Sequence, residues 1–225
     1  MQNHILTTQE LFAPGHTRAW AHLSGYEYPW EFLAEIKDII REVGATLPPD
    51  EYDHPAEDIW IARSARIAPT AYIGAPAIIG ADTEVRHGAF IRGAALVGDG
   101  CVVGNSVELK NCILFDGVQV PHYNYVGDSV LGYKAHMGAG AVTSNVKSGR
   151  TLVSVRAGDE VLETRLKKMG AILGDRVEVG CNSVLNPGTV IGADSNIYPL
   201  SSVRGTVPPR CILKSGKGTE IVEKQ

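Results

Sequence analysis

The stretch IARSARIAPTAYIGAPAIIGADTEV, residues 61–85, has an aliphatic residue at every sixth position. The same phase continues to Leu109, so nine consecutive aliphatic positions are spaced six residues apart. A second block resumes this spacing from Leu173 to Val203. In an α-helix, a spacing of six would spread these side chains around the whole surface. The period indicates a β-solenoid, in which each six-residue unit contributes one short strand and one turn.

Small residues and glycines occupy other fixed places in this repeat. The fourth residue after the aliphatic one is mostly small, as at Ala65, Ala71 and Ala77, and glycine follows the aliphatic residue in IGAPAI and VGDGCV. We expect the aliphatic side chain to point into the coil, and glycine or a short polar residue to allow the turn. One coil cannot bury its own interior, so stacked coils must form the core.

The composition is that of an ordinary globular protein. The chain has 225 residues, 44% hydrophobic and 20% charged, enough for one domain with or without an appendage. A net charge of −4 without basic runs gives no reason to expect nucleic acid as a partner. No apolar run approaches the ~18–20 residues of a membrane span and the N-terminus lacks a signal pattern, so we expect a cytoplasmic protein. The four cysteines form no CxxC pair, which favours reduced thiols over a zinc or redox motif.

Residues 1–57 do not follow the repeat and are expected to form a helical cap and a linker. Apolar residues recur there at helical spacing: Leu33, Ile36, Ile40 and Val43. Pro29 suits a first turn and Gly44 a C-terminal stop. We expect this helix to cover the open first coil of the solenoid at residues 58–215, and packing against a neighbouring subunit is the alternative. Residues 216–225 are expected to form a C-terminal tail.

The six-residue phase breaks near Asn145 and returns at Leu173, which predicts an insertion at residues 147–170. TLVSVRAG and EVLET alternate like two strands, so the insertion is expected to be a hairpin loop. It carries the basic residues Lys147, Arg150, Arg156, Arg165, Lys167 and Lys168. Long loops on rigid scaffolds often have functional roles, although a solvated charged loop is also consistent with this composition.

The stretch HYNYVGDSVLG, residues 122–132, interrupts the apolar repeat with polar and aromatic residues. Arg92 and Lys110 are eighteen residues apart, so coils of about eighteen residues would stack them on one face. Two stacked cations repel each other, but together they can bind a phosphate. The guanidinium of Arg92 would donate a fork of hydrogen bonds, and the ammonium of Lys110 would act as a point charge.

The stretches GNSVELKN, HYNYVGDSVLG and MGAGAVTSN resemble the hexapeptide-repeat acyltransferase family in their order and spacing. They are similar to the acetyltransferase domain of the bacterial bifunctional N-acetylglucosamine-1-phosphate uridyltransferases/glucosamine-1-phosphate acetyltransferases. They are also similar to the C-terminal domain of the archaeal sugar-1-phosphate nucleotidylyltransferases. The resemblance covers about residues 60–215 and implies an all-β fold, a left-handed parallel β-helix with triangular coils.

The resemblance also implies a set of site residues. His122 stands at the position of the base that activates the sugar amine, and Asn145 at that of an asparagine near the acetyl group. The expected substrate-binding residues are Arg92, Lys110, Tyr125, His136, Lys168 and Glu108. Glu108 is further expected to orient His122, and Cys181 and Lys214 are expected to contact the cofactor.

The implied activity is transfer of an acetyl group from acetyl-CoA to the amine of glucosamine 1-phosphate or galactosamine 1-phosphate. The resemblance implies a homotrimer with sites between subunits and no metal in the transfer step. The sequence departs from the family at His136 and Val146, where the bacterial enzymes have asparagine and tyrosine. Pro199 lies where a backbone N–H would be expected to bind CoA, and proline has none. These departures leave the sugar open.

Two alternatives and one exclusion accompany this interpretation. A metal hydrolyase related to the β-helix carbonic anhydrases would need three histidine ligands, for which His87, His122 and His136 are available. A non-catalytic relative would bind a sugar phosphate or serve as an assembly scaffold. The first 57 residues are too short for a nucleotidyltransferase domain and contain no glycine-rich phosphate loop, so no pyrophosphorylase activity is expected.

Overall fold

The structure is a computed structural model, and it describes residues 6–215 and 219–223. Four helical segments come first: α1 (Thr8–Leu11), α2 (Trp20–Leu23), a 3-10 helix (Glu31–Ala34) and α3 (Ile36–Ala45). The strands before the insertion are β1 (Tyr52–Ala56), β2 (Ile59–Ala62), β3 (Arg66–Ile67), β4 (Tyr72–Ile73), β5 (Ala77–Ile79), β6 (Glu84–Val85), β7 (Phe90–Ile91), β8 (Ala95–Val97), β9 (Val102–Asn105), β10 (Glu108–Leu114), β11 (Gln119–His122), β12 (Tyr125–Leu131), β13 (His136–Met137) and β14 (Val142–Thr143). The insertion and the later coils contain β15 (Ser154–Ala157), β16 (Glu160–Glu163), β17 (Ala171–Leu173), β18 (Glu178–Val179), β19 (Val184–Leu185), β20 (Thr189–Ile191), β21 (Asn196–Ile197), β22 (Ser202–Val203), β23 (Thr206–Val207), β24 (Cys211–Ser215) and β25 (Thr219–Glu223).

The chain folds as a left-handed parallel β-helix, as predicted. Each coil has three faces. The first face contains β2, β5, β8, β17, β20 and β23, the second β3, β6, β9, β11, β13, β18, β21 and β24, and the third β4, β7, β14, β19 and β22. The seven-residue strands β10 and β12 cross a corner, so each belongs to the third face at its start and to the first face at its end. At the two ends, β1 and β25 pair antiparallel with β2 and β24.

The predicted phase holds up to Leu109 and then shifts. Ile91 pairs with Leu109, eighteen residues later, whereas Leu109 pairs with Val126, only seventeen residues later. The missing residue is at the corner between the third and first faces, where Asn111 and Asp128 adopt left-handed backbone conformations with φ of 51° and 49°. These tight corners lie in the two coils that carry the candidate site.

The first face is apolar on both sides. In β5, Ala77 and Ile79 point into the coil by the alternation of a strand, so Ile78 points outward. Ile78 is nevertheless only 1% exposed, as is its stacked neighbour Leu96. A sheet face with apolar residues on both sides must be covered on the outside as well as within the coil.

Helix α3 provides that cover for the early coils. It packs against β5, β8 and β10, and its predicted apolar residues are buried. The Leu33 carbonyl before it accepts a hydrogen bond from Asn111 Nδ2 (3.2 Å), and Gly44 near its end lies against the Trp60 ring. The predicted helix is therefore confirmed, but its predicted position over the open first coil is wrong, because the outward apolar side of the first face attracts it to the flank.

The insertion covers the later coils in the same way. Strands β15 and β16 form the predicted antiparallel hairpin, with Val155 opposite Leu162, and β15 packs against β20 and β23. Val153, Val155 and Met169 are fully buried. The insertion is thus part of the core, because its apolar residues are packed against the solenoid while most of its basic residues are exposed.

Residues 11–18, here called the strap, run along the corner between the first and second faces. The Ala13 N–H donates to Asp175 Oδ2 (2.8 Å), and the Asp116 N–H donates to the His16 carbonyl (2.9 Å). Arg18 reaches Asp99 at 3.1 Å. The strap therefore connects several successive coils. None of the helices within the described ranges is long and apolar enough to cross a bilayer.

Leu11→Ala should lower the free energy of unfolding by about 3 kcal/mol, because it opens a cavity under the strap where Leu11 is 1% exposed. Leu152→Ala, the same change at a 44% exposed position, should cost less than about 0.5 kcal/mol. Urea denaturation of both variants provides the measurement. Equal midpoints would show that the strap does not belong to the cooperative core.

Candidate functional site

A cavity of about 510 Å³ lies at the corner between the third and first faces. It brings together three residues that the resemblance assigned to substrate binding, namely Arg92, Lys110 and Lys168. Lys168 comes from the far end of the insertion, so the cavity joins two parts of the chain that the sequence separates widely. Lys37 of α3 and Lys167 of the insertion also line it, and neither is among the predicted site residues.

Asp128 organises the solenoid wall of this cavity. Its carboxylate is 6% exposed and accepts two hydrogen bonds from Lys110 Nζ, at 3.0 and 3.1 Å. Asn111 Nδ2 donates to Oδ1 at 3.0 Å, and Asn145 Nδ2 donates to Oδ2. The Gly170 N–H also donates to the Asp128 carbonyl (2.8 Å), which fixes the end of the insertion here. Asp128 is not among the predicted site residues, although it closes the Gly-Asp pair of HYNYVGD.

Arg92 is paired differently from the expectation. Its Nη1 donates to Glu108 Oε1 at 2.8 Å, and this contact raises the pKa of the guanidinium above its ordinary value. Glu108, expected to orient His122, is therefore bound to Arg92. The predicted stacking of Arg92 beside Lys110 is present, since the Arg92 N–H donates to the Leu109 carbonyl. The carboxylates of Glu108 and Asp128 offset the repulsion between these two cations.

Tyr125 lies across the third face between two corners. Its hydroxyl accepts a hydrogen bond from Asn145 Nδ2 (3.1 Å) and approaches Gly127 so closely that a Cβ there would be 2.3 Å away. Burial, and then the negative charge of Asp128, raise the pKa of the phenol. The hydroxyl therefore keeps its proton at neutral pH and can donate a hydrogen bond to an anion.

Asn145 lies on the cavity side of this arrangement. Its amide nitrogen is already bonded to Asp128 and Tyr125. The resemblance placed this asparagine near the acetyl group, and here its amide connects the Tyr125 hydroxyl to Asp128 of the cavity wall. Its backbone carbonyl also accepts the Met169 N–H (3.0 Å), at the return of the insertion.

His122 ends β11 at the corner between the second and third faces, with its ring exposed. Among the described residues, the ring makes no hydrogen bond. The backbone is held firmly, because the His122 N–H donates to Asn124 Oδ1 (3.1 Å) and its carbonyl accepts from Gly140 (3.0 Å). Asn124 is buried and donates to the carbonyls of Gly138 and Ala141, so it fixes the turn that presents the ring.

A groove of about 480 Å³ runs along the second face below His122. Backbone hydrogen bonds between coils place His122, Ala139, Cys181 and Pro199 in one column. Cys181 and Tyr198 line the groove, and Lys214 Nζ lies 6.0 Å from the centre of the Tyr198 ring. The two residues predicted to contact the cofactor, Cys181 and Lys214, therefore lie near each other.

His136 also lines this groove and does not line the cationic cavity. Its Nδ1 is 2.8 Å from Glu178 Oε2 in the next coil. Since β13 belongs to the second face, His136 is placed away from the other predicted substrate residues.

The three histidines of the metal alternative do not form a cluster within one chain. In the part of the chain that the structure describes, no three His, Cys, Asp or Glu side chains are grouped so that they could hold an ion. His87 Nδ1 pairs with the Thr70 hydroxyl at 2.9 Å. Burial raises the pKa of the Cys101 and Cys112 thiols to about 12, so these cysteines stay protonated.

The stacked six-residue units, with a polar corner on a rigid coil, define a hexapeptide-repeat protein. The model of the GMPPB C-terminal domain matches residues 78–195, and the chain belongs to this family. A bifunctional sugar-1-phosphate nucleotidylyltransferase/acetyltransferase of Sulfurisphaera tokodaii is 35% identical over 102 residues, 45% of this chain and 25% of that protein. The bifunctional protein GlmU of Methanococcus maripaludis strain C5 is 36% identical over 93 residues, 41% of this chain and 22% of that protein. The alignments thus span about a quarter of these relatives or less.

Two solved structures are also similar to this chain. The UDP-N-acetylglucosamine acyltransferase of Francisella novicida gives a TM-score of 0.49 at 15% identity, covering 74% of this chain and 67% of that one. A GDP-perosamine N-acetyltransferase mutant of Caulobacter crescentus, in complex with CoA and GDP-perosamine, gives a TM-score of 0.33 at 18% identity. The match covers 74% of this chain and 57% of that one.

Asp128→Asn should lower the free energy of unfolding by about 2–3 kcal/mol, because Lys110 loses its carboxylate and the new amide cannot accept from all three donors. Asp53→Asn is the matched control, since Asp53 pairs with Arg63 at 65% and 55% exposure and should cost less than about 1 kcal/mol. Chemical denaturation measures both. If both variants lower the free energy of unfolding by equally small amounts, Asp128 does not organise the cavity wall.

Proposed function

We propose that this protein is an acetyl-CoA-dependent N-acetyltransferase that acts on a hexosamine 1-phosphate, either glucosamine 1-phosphate or galactosamine 1-phosphate. The observation that carries this proposal is the position of His122 between two features. On one side a groove suited to an extended thioester follows the second face. On the other side the Tyr125 hydroxyl is bonded to Asn145, which also binds Asp128 in the wall of a cavity rich in cations.

The relatives support the same class of reaction. The name of the Sulfurisphaera tokodaii protein combines sugar 1-phosphates with acetyl transfer, and other relatives share the bifunctional GlmU name. Because the alignments span only part of those proteins, the activity of this chain is our proposal rather than a property taken from them.

The acceptor is bound through its phosphate. The Arg92 guanidinium offers a fork of N–H donors, and the Lys110 and Lys168 ammonium groups add positive charge from two sides of the cavity. The Tyr125 phenol donates to a phosphate or sugar oxygen. These contacts place the sugar ring over the third face, with its amine directed towards His122.

The chemistry is direct acyl transfer without a covalent enzyme intermediate. The neutral amine attacks the thioester carbonyl carbon, so a C–N bond forms and a tetrahedral oxyanion develops. The His122 imidazole takes the proton from the nitrogen, since histidine is the side chain suited to that task near neutral pH. Collapse breaks the C–S bond, and the imidazolium returns the proton to the leaving thiolate. N–H donors at the glycine-rich turns would stabilise the oxyanion.

Acetyl-CoA fits the groove of the second face. Ala139 and Cys181 are small, so an extended chain can lie along their column up to His122. The Tyr198 ring offers a flat apolar surface, and Lys214 above it offers a cation for a phosphate of the coenzyme. His136 and Glu178 line the same groove, so we assign His136 to the coenzyme side.

We further propose a homotrimer in which the third face of each chain contacts its neighbour. Tyr72 and Phe90 stack in successive coils of that face, with ring centres 5.5 Å apart, yet they are 59% and 42% exposed. Tyr125 lies in the same column, two coils beyond Phe90. A subunit packed there would cover the acceptor and complete the site.

Light scattering should give the mass of three 24.1 kDa chains. Phe90→Asp should shift the mass to that of one chain, because it places a charge in an apolar interface. Val161→Asp, a similarly exposed position on the hairpin at 43%, should leave the mass unchanged. A native mass of one chain would contradict the shared site.

His122→Ala should reduce the release of CoA from acetyl-CoA and the hexosamine 1-phosphate by ~10²-fold or more, as expected for loss of a general base. The assay uses glucosamine 1-phosphate and galactosamine 1-phosphate separately, so it also identifies the sugar. His54→Ala is the control, because His54 stacks on Trp60 at the start of the solenoid (5.0 Å), far along the chain from this corner.

Added imidazole should restore part of the activity of His122→Ala. If the native protein turns over neither sugar, the proposed substrate class is wrong. Binding of a hexosamine 1-phosphate without turnover would then favour the non-catalytic scaffold.

A further inference from the structure

The cationic cavity has more positive groups than the sugar-phosphate contacts use. Five of its lining residues are cationic, namely Lys37, Arg92, Lys110, Lys167 and Lys168, and a single lining residue, Asp128, is anionic. Glu108 and Asp128 already pair with Arg92 and Lys110. Within residues 6–215 and 219–223, the three other lysines have no carboxylate partner.

These lysines lie on walls outside the solenoid. Lys37 is exposed in the first turn of α3, and Lys167 and Lys168 are exposed where the insertion returns to the coils. A cation in the first turn of a helix is unfavourable, because the helix dipole places positive charge there. An anion bound in the cavity would offset this repulsion at Lys37, and the positive end of the helix dipole would attract the same anion.

The size and lining of the cavity exceed the needs of one phosphate. Its volume of about 510 Å³ is within the range of sites for whole small molecules, ~300–1,000 Å³. Between the lysines the walls are apolar, with Leu33 and Ala34 on the N-terminal segment and Leu166 on the insertion. The cavity therefore extends from Arg92 and Lys110 to a second, outer cationic side with apolar surface around it.

We propose that Lys37 and Lys167 form an outer anion subsite that binds a second phosphoryl group of the acceptor. Resting on the proposed acetyl transfer, this inference extends the acceptor class from hexosamine 1-phosphates to diphosphate-linked amino sugars, which would bind more tightly. The inner phosphoryl group lies among Arg92, Lys110 and Lys168, and the outer one between Lys37 and Lys167. The coenzyme keeps the groove of the second face, so its own diphosphate does not occupy this subsite.

Isothermal titration with inorganic pyrophosphate and inorganic phosphate, without acetyl-CoA, tests the subsite directly. The native protein should bind pyrophosphate at least ~10-fold more tightly than phosphate, since the outer lysines contact only the longer anion. Lys37→Met and Lys167→Met should each remove most of this preference and change phosphate binding by less than ~3-fold. Arg41→Met is the matched control, because Arg41 lies one turn further along α3, pairs with Asp38 and Asp58, and does not line the cavity.

Competition and turnover distinguish the sources of the diphosphate. CoA should leave pyrophosphate affinity unchanged, and displacement of pyrophosphate by CoA would overturn the assignment to the acceptor. A uridine diphosphate-linked amino sugar should show a KM at least ~10-fold below that of the hexosamine 1-phosphate, and Lys37→Met should remove the difference.

Equal native affinities for phosphate and pyrophosphate would overturn the outer subsite. A pyrophosphate preference that depends on Lys37, in a protein that turns over no amino sugar, would support the subsite and overturn acetyl transfer. The two proposals therefore fail separately.

Discussion

The first face of the solenoid is apolar on its outside as well as its inside, and the rest of the architecture depends on this constraint. A coil buries its inward aliphatic side chains by stacking, but Ile78 and Leu96 point outward from the same strands. Helix α3 covers them over the early coils, and the hairpin of the insertion covers the later ones. The two segments outside the repeat are therefore held against one face by the hydrophobic effect.

That covering also builds the candidate site. Helix α3 begins, and the insertion returns, at the same corner of the solenoid, so Lys37 and Lys168 come to face Lys110. The corner itself is tightened by one residue in two successive coils. Asp128 adopts the left-handed conformation there and lies buried among Lys110, Asn111 and Asn145. A tight turn, a buried carboxylate and two covering segments together form one cationic cavity.

Each face and corner of the solenoid carries a different set of side chains. The second face carries the groove, and His122 lies in the column of one of its lining residues, Cys181. The third face carries Tyr125 and exposed aromatic residues, and the next corner carries the cations. Because the coils stack in register, a residue type at one position of the repeat extends into a column along the rod. His122 and Cys181 are far apart in sequence but share such a column, two coils apart.

The sequence predicts the solenoid, the helix and the hairpin, because the six-residue period, the helical spacing of apolar residues and the alternation of two strands are local patterns. It also identified Arg92, Lys110 and Lys168, which the structure brings to one cavity. Contacts between distant residues set where the covering segments lie, that Glu108 binds Arg92, that His136 lines the groove, and that Asp128 and Lys37 line the cavity. Those outcomes depend on which surfaces remain apolar after the coils stack, and on a one-residue change of register, which are properties of contacts between distant residues.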